Sequence, residues 1–529
     1  MPSSSTSSPR HDRLEIASLF SELQDACSAG LSERHFCDSA PIARSTLRDE
    51  VARFQACDAD PALVAFFFSP AGHLFLRRIV LAAHFAMTLL GPCGVPLVRT
   101  FLILAGLAPF VATSYGAQQS INVSLQDKIA LFGREERERL AKKMPQKTIW
   151  LCEDETFFSR MILVAIEALS DFILVERYAE NRDASTWNAS VKSSLQGLPV
   201  EVAGITGDGA RGICAHATQA FGVMLTPDLF HLQQDLCKSA TAPLARRIRA
   251  IENKLNESKP EKDPGNSDRI SDELAEVREM HQRVSAAVHG LSEVDHPYDE
   301  RTGEPRSGEL VREEWNEMLD EIAIVADEGG LPEASYSALK KARRATEAVG
   351  SSVDAFHQRM ALNLQTMPED MAEVMRTKVL PALYLEKIAA QSPDAETARR
   401  RQEKSRSLIA PLQDENSPIM QLTPEGVTEL LRLGRLWVRL WERSSSRTEG
   451  RNGQLELMHH SWHGLSERKL EAVTVVRNYW IKREDGSTAA EKFFEQKPRD
   501  LFEWLLDVMS DLPRPAQKRP RIAPPPLLN

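Results

Sequence analysis

The sequence lacks any CxxC pair. Its seven cysteines (Cys27, Cys37, Cys57, Cys93, Cys152, Cys214 and Cys237) are odd in number and irregularly spaced, which argues against both a zinc ribbon and a disulfide framework. A reducing, cytoplasmic setting is the expectation. The opening MPSSSTSSPRHDR has no apolar core of the kind a secretory signal needs, so nothing there directs export, and residues 1–30 read as a weakly ordered lead. There is no excess of positive charge either. With 65 Lys+Arg against 75 Asp+Glu the net charge is -10, so any DNA binding must come from local basic surfaces. Residues 79–98 form a long uncharged stretch, but GPCGVP breaks it near its end, so no membrane span is expected. Hydrophobic residues at 42% and charged residues at 26% are ordinary values, which sets aside wholesale disorder and collagen-like structure. No internal repeat is present, and 529 residues favour three or four structural units.

What is there changes character along the chain. Residues 31–145 read as helical. Within SERHFCDSAPIARSTLRDEVARF, Ser32 would cap a first helix, Ala40 and Pro41 would turn the chain, and a second helix would start near Ser45. That second helix would carry Arg44, Thr46 and Arg48 as base-edge and phosphate donors of a helix-turn-helix. A plain helical hairpin with solvated arginines fits the pattern equally. A further helical pair follows at residues 95–120. After the charge-dense REERERLAKKMPQK the periodicity shortens to strand length in KTIWLCED, RMILVAIEAL and DFILVERYAE, predicting an antiparallel meander. Asp183 then caps a helix through Trp187, Val191 and Leu195, and the run continues as strand, helix, strand, helix. The order βββαβαβα defines an α/β core over 146–255.

Residues 256–426 carry no strand-like run and read as an all-helical insertion. Residues 427–512 read as the helical remainder of the core, and 513–529 as a disordered, basic, Pro-rich tail.

Metal-dependent phosphoryl transfer needs carboxylates converging from different elements, because divalent cations must be gripped by oxygen ligands. Asp154 is expected after the first strand and Asp208 after the fourth, with Gly207 and Gly209 leaving room beside the second. Strand alternation puts Cys152 and Asp154 on one face, and Glu153 and Glu155 on the other. His459, His460 and His463 have no further ligand set for zinc and read as surface or DNA-facing groups. Arg432, Arg435, Arg439 and Arg443 recur at helical spacing beside Leu433, Leu436, Trp437 and Leu440. They form either a solvated face or a phosphate-binding stripe.

The segments CEDETFF, LVAIEALSDFILVERYAENRDASTWN, GITGDGARG, TPDLFHLQQDL, RTEGRNGQLELMHH, HGLSERKLEAVTVVRNYW and DGSTAAEKFF together resemble the DDE-type transposases of bacterial insertion sequences. The resemblance implies a multidomain chain. A helical N-terminal DNA-binding region would precede an RNase H-like α/β catalytic core, itself interrupted by the all-α insertion. It further implies that Asp154, Asp208 and Glu449 are the catalytic residues that bind two Mg2+ or Mn2+ ions. Asp228 and His231 match the family's C/D-x-x-H motif near the site. The partners implied are the DNA of the element ends and the target, and at least a second copy of the chain. The alternatives are a DNA-binding regulator without chemistry and a nuclease of the same fold that cuts without joining.

Overall fold

The computed structural model describes residues 12–223, 225–257, 264–392, 394–413, 417–439, 441, 446–483 and 485–516. They form two compact units, one built from the described residues of 12–143 with 454–516 and the other from those of 144–453.

The first unit begins with α1 (Arg13–Ser28), capped by Asp12 and burying Ile16, Leu19, Phe20 and Leu23. The segment expected as a weakly ordered lead is therefore helical from Arg13, because a 3.6-residue apolar pattern starts directly behind the Ser-rich opening. Residues 1–11 lie outside the described residues. Ser32 caps α2 (Glu33–Ser39) by accepting from the His35 N–H, and α3 (Arg44–Gln55) follows a short bend. Leu47 of α3 and Ile42 of the bend pack with Ile16, Leu19 and Cys37, which fixes the three helices together.

Next come α4 (Pro61–Phe68), α5 (Pro70–His84) with a π turn at Phe85–Leu90, α6 (Val95–Leu104) and α7 (Tyr115–Ala141). Pro70–Leu90 is long and apolar enough to cross a membrane by length and composition, and half of it is buried inside the protein. Two of its polar side chains bond to α7. His84 Nε2 donates to Gln118 Oε1 at 2.8 Å, and Thr88 donates to Asn122 at 2.8 Å. The charge-dense REERERLA forms the end of α7.

Residues 454–516 also belong to this unit, so the segment expected to complete the core over 427–512 is divided at 453/454. It contributes α20 (Glu467–Tyr479), α21 (Ala489–Phe494) and α22 (Leu501–Val508), numbered after the helices of the second unit. Part of the tail is held as well, since Ala112 N–H donates to Pro513 and Arg514 pairs with Glu50 at 2.7 Å. Helix α20 approaches α7 so closely that a Cβ on Gly133 would lie 2.5 Å from Val475 Cγ2. A valine cannot swing aside. Gly133→Ala is expected to cost about 1–3 kcal/mol through overpacking, read as a lowered Tm, and Val475→Ala in the same chain should restore most of it.

The second unit is built on a five-stranded sheet of order β3-β2-β1-β4-β5. Its strands are β1 (Lys147–Phe157), β2 (Met161–Glu167), β3 (Ile173–Ala179), β4 (Val200–Gly207) and β5 (Leu225–Pro227). β1, β2 and β3 form the expected antiparallel meander, while β4 runs parallel to β1, and β5 parallel to β4. Helix α8 (Ala184–Leu195), capped by Asp183, buries Trp187 and Val191 as its spacing predicts. Helix α9 (Arg211–His216) and α10 (Leu229–Leu236) complete the alternation. Asp154 lies inside β1, paired with Val164, rather than after the strand. Antiparallel pairing with β2 carries the strand on to Phe157 despite three consecutive acids.

The helical region comprises α11 (Ala242–Glu257), α12 (Pro264–Val294), α13 (Gly308–Glu328), α14 (Glu333–Leu364), α15 (Glu369–Val374), α16 (Leu380–Ala390), α17 (Ala395–Ile409) and α18 (Pro424–Arg439). Between residues 256 and 426 the described residues hold no strand, only an isolated bridge between Tyr298 and Pro305. The hydrophobic core here runs from Leu229 to Trp441 around the fully buried Trp315 and Tyr384. It therefore starts in α10 and ends after α18, so the expected limits at 256 and 426 cut through one continuous core. Helix α14 covers the exposed edge of β5, where Ser352 and Thr226 hydroxyls bond at 3.0 Å. Helix α19 (Ser446–Ser461) begins in this unit.

Candidate functional site

One lateral row crosses the sheet. Glu176 on β3 pairs with Val164 on β2, and Val164 pairs with Asp154 on β1. Residues directly opposite one another share a face, so Glu176 and Asp154 project on the same side. In the parallel half, Cys152 pairs with Thr206 and Gly207 with Pro227. Two residues beyond the first couple stand Asp154 and Asp208, and one beyond the second stand Asp208 and Asp228. The backbone N–H of Asp228 donates to the Gly207 carbonyl at 2.8 Å, which holds the end of β5 beside the end of β4.

Each acid is set by its local backbone. Asp208 accepts from the Ala210 N–H at 2.8 Å, and Gly209 takes the turn at φ 79°. Asp228 caps α10 by accepting from the Phe230 and His231 N–H groups, which also fixes His231 in the first turn. The first turn of α19 supplies Glu449. His231 Nε2 lies 3.0 Å from Glu449 Oε1 and 3.8 Å from Asp228 Oδ2. Ligand-type atoms of Asp228, His231 and Glu449 all lie within 4.8 Å of one another. Asp154 stands beside this group and accepts from Asn452 Nδ2 at 2.8 Å.

Burial is the main reason the Asp154 carboxyl is pushed up to about 6; the Glu155 N–H and His231 oppose the shift, and the charges of Asp208 and Asp228 add to it. Burial also raises Glu449, against His231 and with Asp228. Desolvation thus leads both shifts, and at Glu449 the neighbouring imidazole outweighs the charge of Asp228. Two carboxylates and one imidazole, those of Asp228, Glu449 and His231, therefore converge closely enough to hold a divalent cation, and among the described residues Asp154 and Asp208 are not part of that converging group.

The opposite face is organised as alternation requires. Glu153 is fully buried with His216 Nε2 3.3 Å from its Oε1, and burial raises its carboxyl. His216 Nδ1 in turn donates to Asn188 at 2.6 Å. Glu155 accepts from Trp187 Nε1 at 3.2 Å and Arg182 at 3.4 Å. Neither glutamate shares the face of Asp154.

Other expected groups lie apart from this cluster. Arg44 and Arg48 sit on the exposed side of α3 and face Glu33 at 3.9 and 3.4 Å, with Thr46 half-buried between them. On α18 the buried face is Leu430, Gly434 and Val438, while Leu436 is exposed. Arg432 bonds Glu429 through two hydrogen bonds, Arg435 faces Glu386 at 3.6 Å, and Arg439 is exposed. Arg443 and Leu440 lie outside the described residues. His460 and His463 are exposed and His459 is half-buried; among the described residues these histidines belong to no metal-ligand cluster.

Sequence reasoning missed Arg447, Arg451, Asn452 and Glu176. Arg451 forks onto Glu176 with two 2.7 Å hydrogen bonds, both side chains buried, and Arg447 bonds Asp171. The signal was a charged residue in the apolar run ILVERYA and two cationic residues flanking Glu449 in RTEGRNG.

Comparison with known proteins finds little that resembles this chain. Residues 375–521 match a family described only as of unknown function, DUF6399. That stretch includes Glu449, Arg451 and Asn452 and excludes Asp154 and Asp208. No curated protein matches, and no solved structure matches.

Proposed function

We propose that the chain is a DDE-type DNA transposase that cleaves phosphodiester bonds at the ends of its element and joins the freed 3′-hydroxyls to target DNA. The observation that carries this reading is the row of Asp154, Asp208 and Asp228 at the end of a mixed sheet, with Glu449 delivered onto it from a distant helix. The strand order and directions support the α/β, RNase H-like core that the resemblance implies. Asp154, Asp208 and Glu449 would hold the divalent ions, with Asp228 and His231 at their side. Such ions supply activation of the attacking oxygen and stabilisation of the leaving oxygen in an in-line displacement. The protein's own part is to hold these carboxylates in fixed positions at strand ends and helix starts before any ion arrives. Two element ends must be handled together, which calls for at least two copies of the chain.

End recognition falls to the first unit, through α2 and α3. Because residues 454–516 pack in that unit, the test uses the full chain. Replacing Arg44 and Arg48 with Gln should weaken binding to the DNA that borders the coding region. It should also flatten the log-log salt dependence by about 0.9 per lost phosphate contact, measured by fluorescence anisotropy. An unchanged slope and affinity would leave α3 as half of a helical hairpin with solvated arginines.

A further inference from the structure

Resting on that reading, we propose that Arg451 and its buried partner Glu176 are positioning residues. They pin the first turns of α19 to the sheet so that Glu449 is held at the carboxylate row. The geometry is an anchor at each end of one line. Glu176, Val164 and Asp154 are paired in register across β3, β2 and β1, so Glu176 and Asp154 are two strand spacings apart, about 10 Å. Adjacent residues of α19 reach the two ends. Arg451 grips Glu176 with Nε and a terminal nitrogen at 2.7 Å each, and Asn452 donates to Asp154 at 2.8 Å. A third tie, Arg447 to Asp171 in the turn between β2 and β3, lies one helical turn earlier. Glu449 sits between these ties and meets His231 and Asp228. Ties at 447, 451 and 452 fix both the rotation of the helix about its axis and its position along the strands.

A buried ion pair is a poor way to gain stability, because desolvation of both charges offsets their attraction. It is a good way to fix orientation, because a guanidinium fork accepts a carboxylate in one planar geometry. Arg451 and Glu176 are 4% and 0% exposed in their side chains, far from the solvent that would loosen a surface pair. An apolar pair of similar volume could hold the helix down, yet would let it slide and rotate.

The test uses the full-length protein with Mn2+ as the probe. Its readouts are Mn2+ affinity by electron paramagnetic resonance, nicking of supercoiled plasmid and Tm. The informative variant is the double Glu176→Leu with Arg451→Met, which removes both charges of the pair together. It should melt within a few degrees of wild type while Mn2+ affinity and nicking each fall at least about tenfold. Wild-type Mn2+ affinity and nicking in the folded double variant would overturn the positioning role and leave the proposed function standing. A double variant that fails to fold would also overturn it, assigning the pair to stability. If wild type itself neither binds Mn2+ nor nicks, the proposed function fails and takes the positioning role with it.

Discussion

Asp154→Asn, Asp208→Asn and Glu449→Gln are each expected to reduce DNA cleavage by at least about a thousandfold while leaving DNA binding intact. Each swap preserves shape and removes one charge from the oxygen ligand set. Several kcal/mol of transition-state charge stabilisation correspond to that factor. Asp154→Asn carries a second, opposite signature. The Asp154 carboxyl is pushed up to about 6, above its unfolded value near 3.9. Its charged form is therefore penalised in the metal-free fold. That penalty is absent below about pH 4, grows as pH rises through 6, and is complete above it. At pH 7 without metal, Asp154→Asn should be more stable than wild type by on the order of 2 kcal/mol, a gap that closes near pH 4. Plasmid nicking and melting curves at the two pH values check both halves. Lost activity with lost stability would assign Asp154 a structural role instead.

The second large effect is expected at Glu136, on the face of α7 that receives the C-terminal segment. This carboxylate is fully buried and accepts from Arg139, from the Arg499 N–H at 2.7 Å and from Arg499 Nε at 2.6 Å. Burial alone would raise its carboxyl, but these bonds outweigh it and hold it below the usual carboxylate range. Glu136→Ala strands the Arg499 N–H and two guanidinium groups. The expected loss is about 2–3 kcal/mol, below the 3–5 of a fully enclosed pair because both arginines reach water. Glu136→Gln should behave similarly at pH 7. A depressed carboxyl contributes its stability above about pH 4.5 and loses it as pH falls through the folded value. The gap between wild type and Glu136→Gln should therefore narrow steadily below pH 4.5. A pH-independent gap would mean that packing, rather than charge, holds the segment.

The strands were legible because each is a short apolar run, and the meander followed from their order. Local capping rules likewise placed Ser32 and Asp183 at helix starts. What the sequence concealed is mostly long-range. Nothing near Glu176 announces that its partner is Arg451, a residue 275 positions later. Nothing in residues 454–516 says that Arg499 belongs with Glu136 in a different unit from Glu449. The onset of the helical region was misjudged for a related reason. Helices α10 and α11 belong to the βα alternation in sequence but bury Leu232, Leu236, Leu244 and Ile251 in the helical core. Helix α1 was hidden by composition, since a serine-rich opening outweighed the apolar spacing of Ile16, Leu19, Phe20 and Leu23. At the site, alternation separated Asp154 correctly from Glu153 and Glu155. The contact of Glu449 with His231 required the fold.

The central claim is that Asp154, Asp208 and Glu449 perform metal-dependent phosphodiester chemistry on DNA. The most direct measurement is product analysis after incubating the purified full chain with end-labelled duplex from the DNA that borders its coding region, with and without Mn2+. The account predicts strand cleavage only with Mn2+, leaving 3′-hydroxyl and 5′-phosphate ends, and none from the Asp208→Asn variant. Absence of cleavage across the Mn2+ titration, or cleavage that persists in Asp208→Asn or leaves 3′-phosphate ends, would contradict it.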